Sequence, residues 1–223
     1  KAGKCVTGHY SISETDRGLN AYIASGVRAC HECITADDVM AKLRMGMYVQ
    51  ARYGSAWLSL PNYLPQVLES VVDTRLIILC TDDNHPNTLV NEGGMDRALR
   101  AVLECGCDSV TALQFATINA AQCLGVDQDM GSITPGKCAD MVILPDLESF
   151  IPEQVYIDGD LVAQGGKATF DHELFEWPEF MTHTMNVGRT FTAADFEIPV
   201  DRPDGMCRVR AIGGVGGSTI TED

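Results

Sequence analysis

Short apolar runs alternate with segments of helical spacing through the first 125 residues of the chain. The apolar runs fall at residues 5–9, 26–31, 47–52 and 75–80, and their length is typical of buried strands. After each run, apolar positions recur at the spacing of an amphipathic helix. Helices are therefore predicted from Ser13 to residue 23, at 35–47, 63–73, 88–106 and 109–125, with Gly93–Gly94 interrupting the helix at 88–106.

The second of these helices has the clearest boundary signals. Thr35 is a good N-cap residue, and the acidic Asp37 and Asp38 follow in the first turn. Lys42 and Arg44 come near the end of the helix, where positive charge complements the helix dipole. Strands that alternate with such helices predict right-handed crossovers and a parallel sheet, with functional groups at the carboxyl ends of the strands.

After Gly125 the pattern changes to short β segments, within residues 131–146 and 154–166, and Asp158–Gly159 fits a tight hairpin turn. Periodicity is weak from about residue 171, and residues 206–217 are expected to begin another domain. The predicted organisation is an α/β unit over residues 1–130, a small β segment over 131–170, and a connector with the start of a C-terminal domain over 171–223.

The net charge of the chain disfavours two classes of binding partner. The chain has 16 Lys and Arg against 31 Asp and Glu, and its net charge of −15 disfavours binding to nucleic acid or to an anionic membrane. No apolar run reaches the roughly 18 residues of a membrane span. We therefore expect a soluble protein, and the free cysteines described next indicate the cytoplasm. The chain begins at Lys1 rather than at methionine, and we expect both ends to be cuts through a longer protein.

The nine cysteines are an odd number, and several lie inside apolar runs, as expected for free thiols in a reducing compartment. Cys30 and Cys33 form the single C-x-x-C pair. A zinc knuckle and a redox pair are alternatives for these two residues, but the lack of a second such pair favours two buried thiols.

Residues able to bind a metal stand at the predicted strand ends. His9 ends the first strand, His31 ends the second, and Asp82 follows the fourth, so parallel strands could bring them to one rim. Two histidines and an aspartate are reasonable ligands for zinc, manganese or iron. Such a metal activates water near neutral pH, and an aspartate beside it can transfer the proton. The alternative is that each histidine is an ordinary packed or surface residue.

The neighbouring polar residues have two interpretations each. Asp83 either belongs to the site or caps the helix that follows, and His85 lies in the same stretch, "CTDDNHP". Arg52 ends the third strand, where it either contacts substrate or pairs with a neighbouring carboxylate. Glu32 points to the other side of an extended strand from His31, although at a strand end it could turn toward the site.

These residues resemble the amidohydrolase superfamily and, within it, the adenine deaminase family. The resemblance rests on "GHY" at His9, on residues 19–56, on "CTDDNHP", on "TALQFATINAAQCLG" and on "GSITPGKCADMVIL", and it continues in "MNVGRTFTAADFEI" and "VRAIGGVGGSTITE". It therefore covers nearly the whole chain. The fold it implies is the C-terminal half of a TIM-like (β/α)8 barrel, followed by a small β domain and the start of a further C-terminal domain.

The resemblance also implies a reaction and a site. The reaction is hydrolytic deamination of adenine to hypoxanthine and ammonia by a metal-activated water, in purine salvage and adenine catabolism. His9 and His31 are implied as metal ligands, Asp82 as a ligand that also shuttles the proton, and Asp83 as a second catalytic carboxylate. Substrate contacts are implied for His85, Glu32 and Arg52. The cofactor is a divalent metal, with manganese before iron or zinc and two ions in the complete enzyme, which is expected to be a homo-oligomer.

The sequence departs from the family by lacking the H-x-H pair of the first barrel strand and the first half of the barrel. We therefore expect the 223-residue chain to be inactive alone. Two rival hypotheses stay open. One is another metal-dependent amidohydrolase, resembling a dihydroorotase or a deacetylase. The other is a non-catalytic half that assembles with a partner chain.

Overall fold

The computed structural model describes residues 4–12, 14–171, 175–200, 205–214 and 221–222. Its first part contains four parallel strands that pair in chain order. They are β1 (Thr7–Gly8), β2 (Ala29–Cys30), β3 (Tyr48–Arg52) and β4 (Ile77–Cys80). Strands that neighbour in the chain are thus neighbours in the sheet, joined by helical crossovers, and the predicted strand and helix alternation is confirmed.

The helices follow the strands as predicted, although several of their boundaries differ by a few residues. They are α1 (Arg17–Ala24), α2 (Ala36–Arg44), α3 (Leu60–Ser70), α4 (Pro86–Asn91), α5 (Met95–Glu104), α6 (Ser109–Ala116) and α7 (Ile118–Leu124). Helix α3 begins before the predicted residue 63 because Pro61 suits the first turn of a helix, where no N–H bond is lost. Ser13 itself lies outside the described residues, but α1 begins later than predicted, at Arg17, because Glu14 accepts hydrogen bonds from the backbone N–H groups of Asp16 and Gly18 in a turn before the helix.

Local chemistry explains where several helices begin and end. Thr35 caps α2 as predicted, its side chain accepting a hydrogen bond of 3.3 Å from the backbone N–H of Asp38. Gly93, with φ of 107°, separates α4 from α5, so the predicted break there is confirmed. The single helix predicted over 109–125 is wrong. Thr117, with φ −124° and ψ −94°, divides it, and its hydroxyl donates to the Leu113 carbonyl.

The main core lies between the sheet and the helices that cover it. The sheet contributes apolar side chains from β3 and β4, and α3, α5 and α6 contribute the facing ones. Its fully or nearly fully buried members include Val49, Ala51, Ile77, Leu79, Leu60, Leu64, Val67, Ala98, Val102 and Phe115. This packing fixes the strand ends relative to one another, and so fixes the side chains that follow them.

A second, antiparallel sheet follows, as the short β segments predicted. It consists of β5 (Met141–Ile143), β6 (Gln154–Ile157), β7 (Asp160–Gln164) and β8 (Lys167–Ala168), paired in chain order. Asp158 and Gly159 have φ of 51° and 89°, the left-handed conformations that a two-residue hairpin turn requires, so the predicted turn is confirmed.

The remaining described residues form little regular structure. They contain α8 (Glu179–Thr182), a 3₁₀ helix (Ala193–Phe196), β9 (Gly213–Gly214) and β10 (Thr221–Glu222), the last two paired antiparallel. Part of the predicted start of another domain, residues 215–217, lies outside the described residues. Among the helices that the structure describes, none is long and apolar enough to cross a membrane.

Candidate metal centre

The carboxyl ends of the four parallel strands bring five predicted site residues to one rim. His9 directly follows β1, and His31 and Glu32 directly follow β2. Arg52 is the last residue of β3, and Asp82 comes two residues after the end of β4. Parallel pairing in register, as between Arg52 and Cys80, places these positions side by side.

Three of these side chains converge with geometry suited to a metal ion. His9 Nδ1 is 3.4 Å and His31 Nε2 is 3.8 Å from Glu32 Oε1. One ligand atom from each residue lies within 4.8 Å of the other two, and the imidazole rings contact edge to face at 4.3 Å between centroids. Two imidazoles and a carboxylate form a donor set suited to zinc, manganese or iron, so these residues fit a divalent metal.

The cluster is buried on one side and open on the other. The Glu32 side chain is 5% exposed, whereas that of His9 is 65% exposed. A small molecule could therefore reach the cluster from the side of His9. The sequence did not predict that the Glu32 carboxylate would turn so fully toward the histidines, because alternation along an ideal strand directs it away. Strand β2 ends at Cys30, so the alternation rule no longer holds at Glu32.

Arg52 links the cluster to Asp82. Its Nη1 donates to Glu32 Oε1 at 3.1 Å and to Asp82 Oδ2 at 2.5 Å. Burial lowers the pKa of Arg52, but the hydrogen bond to Asp82 and the charge of Glu32 outweigh it and raise the pKa above its ordinary value. Of the two interpretations given by the sequence, the structure shows the pairing with carboxylates.

Asp82 lies at the edge of the same cluster. Its Oδ2 is 3.8 Å from His31 Nε2, and its side chain is 42% exposed. Its backbone adopts the left-handed conformation, with φ of 58°, which is uncommon for residues other than glycine. The chain thus turns sharply after β4 and presents this carboxylate at the rim.

The structure does not bring Asp83 and His85 into the cluster. Asp83 Oδ2 accepts hydrogen bonds from the backbone N–H groups of Ala56 and Trp57, at 2.5 and 3.3 Å, and so holds the loop after β3. The alternative role of Asp83 as a helix N-cap is wrong, because His85 caps α4. The backbone N–H of His85 donates to Ser55 Oγ at 2.7 Å, in the same loop. Roles in catalysis or substrate binding for these two residues stay predictions.

Sequence reasoning missed Lys42, which was expected to serve the helix dipole. Its side chain is 0% exposed, and its Nζ donates to the backbone carbonyls of Tyr10 and Glu32, both at 3.1 Å. Asp38 Oδ1 completes an ion pair at 2.8 Å. Position 42 continues the three-residue spacing of the buried Ala36 and Val39, and this spacing was the signal in the sequence.

The two cysteines of the C-x-x-C pair flank His31 and Glu32 in the sequence. Cys30 and Cys33 are both free thiols and almost completely buried. A hydrogen bond from Cys33, together with the charge of Lys42, lowers the pKa of Cys30 to about 6. Cys30 Sγ accepts the backbone N–H of Tyr10 at 3.2 Å. The structure thus shows two buried thiols, of which Cys30 is in polar contact with the segment that follows His9.

Comparison with known proteins gives a relationship at the level of the family. Residues 61–162 match the model described as Amidohydrolase family. The fold agrees with two solved structures of low sequence identity. Enamidase is 18% identical with a TM-score of 0.52, over 71% of this chain and 46% of that one. N-acetylglucosamine-6-phosphate deacetylase from Pasteurella multocida is 15% identical with a TM-score of 0.51, over 67% and 47% of the two chains.

The more particular relationship comes from sequence. The chain is 47% identical over 198 residues to an adenine deaminase from Clostridium botulinum (strain 657 / Type Ba4), covering 89% of this chain and 33% of that protein. It is 42% identical over 213 residues to the adenine deaminase of Paracoccus denitrificans, covering 95% and 35%. The chain is therefore a homologue of adenine deaminases, and it spans about a third of the length of these relatives.

Proposed function

We propose that this chain forms part of an adenine deaminase, which hydrolyses adenine to hypoxanthine and ammonia. The observation that carries the proposal is the identity of up to 47% with adenine deaminases over 198 residues. The geometry of the rim supports such a reaction, because side chains able to bind a metal and a partly exposed carboxylate lie together there. Adenine would reach them from the open side at His9.

We propose that residues 1–130 form the second half of a (β/α)8 barrel, with the small β segment at 131–170 and the entry to a C-terminal domain at 171–223. The singly wound order β1 to β4 supports the barrel, since a doubly wound sheet would reverse its order. In the described part of the chain, β1 pairs only with β2, and β4 pairs only with β3. These outer strands are where the rest of a barrel would join.

His9, His31 and Glu32 are proposed to hold a divalent metal, with manganese before iron or zinc. Asp82 is proposed to join them as a ligand at the edge of the site, and a second ion would need further residues. A metal held here would act as a Lewis acid and lower the pKa of water. The substrate contact predicted for Glu32 is replaced in this proposal by a ligand role, because its Oε1 lies within 3.8 Å of both imidazoles.

The proton transfers are assigned to Asp82. Its carboxylate is held at Oδ2 by Arg52 and lies partly open to solvent, so it can accept a proton from water and deliver it to the departing amino group. Arg52 orients this carboxylate and compensates the buried charge of Glu32. A direct substrate contact by Arg52 or His85, and a place in purine salvage as a homo-oligomer of the cytoplasm, stay predictions.

The test uses the complete polypeptide as its own cell produces it, supplied with Mn²⁺. We expect ammonia release from adenine, and we expect Asp82→Asn to reduce kcat by about 10²- to 10⁴-fold, the usual contribution of a general acid or base. Asp73→Asn is the matched control, because Asp73 precedes β4 whereas Asp82 follows it. Faster opening of a cyclic amide than deamination of adenine would contradict the proposal and favour another amidohydrolase. Full activity of Asp82→Asn would contradict the proton-transfer role.

A further inference from the structure

We infer that Lys42 is a positioning residue of the metal centre, which sets the spacing of His9, His31 and Glu32 from behind the rim. The inference rests on the proposed function in so far as it takes these three residues as metal ligands. Within the described part of the chain, the polar contacts of Lys42 go to two backbone carbonyls, Cys33 Sγ and Asp38, and not to the ligand atoms themselves. Its ammonium binds the backbone immediately beside them.

The two carbonyl contacts of Lys42 join the ends of two different strands. One is the carbonyl of Tyr10, the residue after His9, and the other is the carbonyl of Glu32, the residue after His31. Both bonds measure 3.1 Å. A single ammonium therefore fixes the distance between the segment after β1 and the segment after β2. Those segments carry all three members of the ligand cluster.

Both backbone polar groups of Tyr10 form hydrogen bonds. Its carbonyl accepts from Lys42, and its N–H donates to Cys30 Sγ at 3.2 Å. This matters because β1 is only two residues long and pairs with β2 through two residues, so the ladder itself constrains the chain weakly after Gly8. The side chain of His9 is largely exposed, and it contacts His31 and Glu32. Its orientation therefore depends on this backbone anchor.

The burial of the Lys42 ammonium indicates that its contacts do more than stabilise the fold. A fully buried ammonium loses its hydration, and this loss is offset only if several partners replace it. Lys42 has the ion pair with Asp38 and a contact of 3.5 Å to Cys33 Sγ besides the two carbonyls. An apolar side chain of similar length would fill the same space on the buried face of α2 without that cost. What it could not do is bind two carbonyls at once.

The test compares three variants of the complete polypeptide as its cell produces it. Lys42→Met keeps the length and loses the donors. Lys42→Gln keeps a shorter, neutral donor. Lys137→Met is the matched control, because Lys137 also binds two backbone carbonyls, those of Asp127 and Met130, but in a loop that carries none of the ligands. Mn²⁺ affinity is measured by electron paramagnetic resonance of the free ion, at a temperature well below unfolding of each variant.

We expect Lys42→Met to weaken Mn²⁺ binding by about 10- to 100-fold, the usual effect of losing a residue that orients metal ligands. Lys42→Gln should weaken it less, and Lys137→Met should leave it within twofold of the native value. A folded Lys42→Met variant with native affinity would overturn the inference. So would failure of both Lys42 variants to fold, because Lys42 would then serve the fold as a whole. If the native protein binds Mn²⁺ without deaminating adenine, the proposed function fails, while the affinity ratio still decides the role of Lys42.

Discussion

Replacing Arg52 by methionine would remove a buried guanidinium that joins two carboxylates of the candidate metal centre. Arg52 and Glu32 are each only 5% exposed in their side chains, and their ion pair measures 3.1 Å. Without the guanidinium, the buried Glu32 carboxylate has one cation fewer beside it. Methionine fills most of the same volume, so the change is mainly one of charge.

The magnitude follows from the burial of each partner. Breaking a buried pair by removing one member destabilises a protein by about 3–5 kcal/mol, because the other charge stays behind. The contact with Asp82 adds little to this, since that side chain is 42% exposed and solvent screens it. We therefore expect the metal-free Arg52→Met variant to lose about 3–5 kcal/mol of unfolding free energy.

The same substitution should strengthen metal binding. In the native chain a divalent cation must share Glu32 and Asp82 with the positive charge of Arg52. Without Arg52 the site is more negative, so its affinity for Mn²⁺ should rise, and Mn²⁺ should raise the unfolding midpoint more in the variant than in the native protein. Loss of stability and gain of affinity together would distinguish an electrostatic role from simple damage to the fold.

The assay is denaturant unfolding of the complete polypeptide, with and without Mn²⁺, beside Arg75→Met as a control. Arg75 forms an ion pair with Asp73 on the surface, where both side chains are exposed, and we expect no measurable loss there. The reasoning is refuted if metal-free Arg52→Met is as stable as the control. It is equally refuted if Mn²⁺ binds the variant more weakly than it binds the native protein.

Three further predictions concern the surroundings of the site. Gly54→Ala should destabilise the loop after β3, because an added Cβ would overlap the carboxylate of Asp83 and approach a backbone carbonyl. Hydrogen exchange should show faster exchange of the backbone amides in that loop. Exchange at the native rate would contradict this packing. His31→Ala should weaken Mn²⁺ binding by about tenfold or more, because it removes a proposed ligand. His85→Ala is the control, since it removes only a helix cap and should leave Mn²⁺ binding unchanged. Equal losses of affinity would argue against the ligand assignment. Asp108→Ala should lower the unfolding free energy by about 1 kcal/mol through loss of the N-cap of α6, measured by denaturant unfolding, with Asp108→Asn as the milder control. Hydrogen bonds from Thr111 and from neighbouring backbone N–H groups lower the pKa of Asp108 below its ordinary value of 3.8. The ionised carboxylate therefore stabilises the fold above this ordinary pKa. The difference in unfolding free energy between the native protein and Asp108→Ala should shrink as the pH falls below it.

Periodicity and turn chemistry were enough to predict most of the fold. Apolar runs placed the four parallel strands, Thr35 marked the start of α2, and Gly93 marked the break before α5, because each depends on residues close in sequence. Thr117 shows the limit. Its division of α6 from α7 leaves helical spacing intact on either side, and the sequence around it is apolar and helix-forming, so no local signal marked the break.

The candidate site was predictable only where strand ends carried recognisable chemistry. His9, His31 and Asp82 were found because parallel strands gather their carboxyl ends, and the structure brings these residues together. Lys42 was not. Its spacing from Ala36 and Val39 indicated burial, but its partners are backbone carbonyls, and a carbonyl leaves no trace in the identity of the residue that bears it. Pairing of Arg52 with a neighbouring carboxylate was one of the two interpretations of the sequence, but the identity of its partners, Glu32 and Asp82, depends on three strand ends at once.

The left-handed backbone at Asp82 means that this position must meet two separate requirements, one for the backbone conformation and one for the carboxylate. A conformation with φ of 58° is easy for glycine and tolerable for asparagine and aspartate, whose short polar side chains hydrogen-bond locally, but unfavourable for glutamate and for branched residues. Substitution of all twenty residues at this position should therefore give two different rankings. Folding yield should follow backbone preference, with glycine and asparagine close to aspartate, whereas turnover should require a carboxylate. Aspartate is the one amino acid that ranks high on both scales, and glutamate, despite its charge, should fail the first.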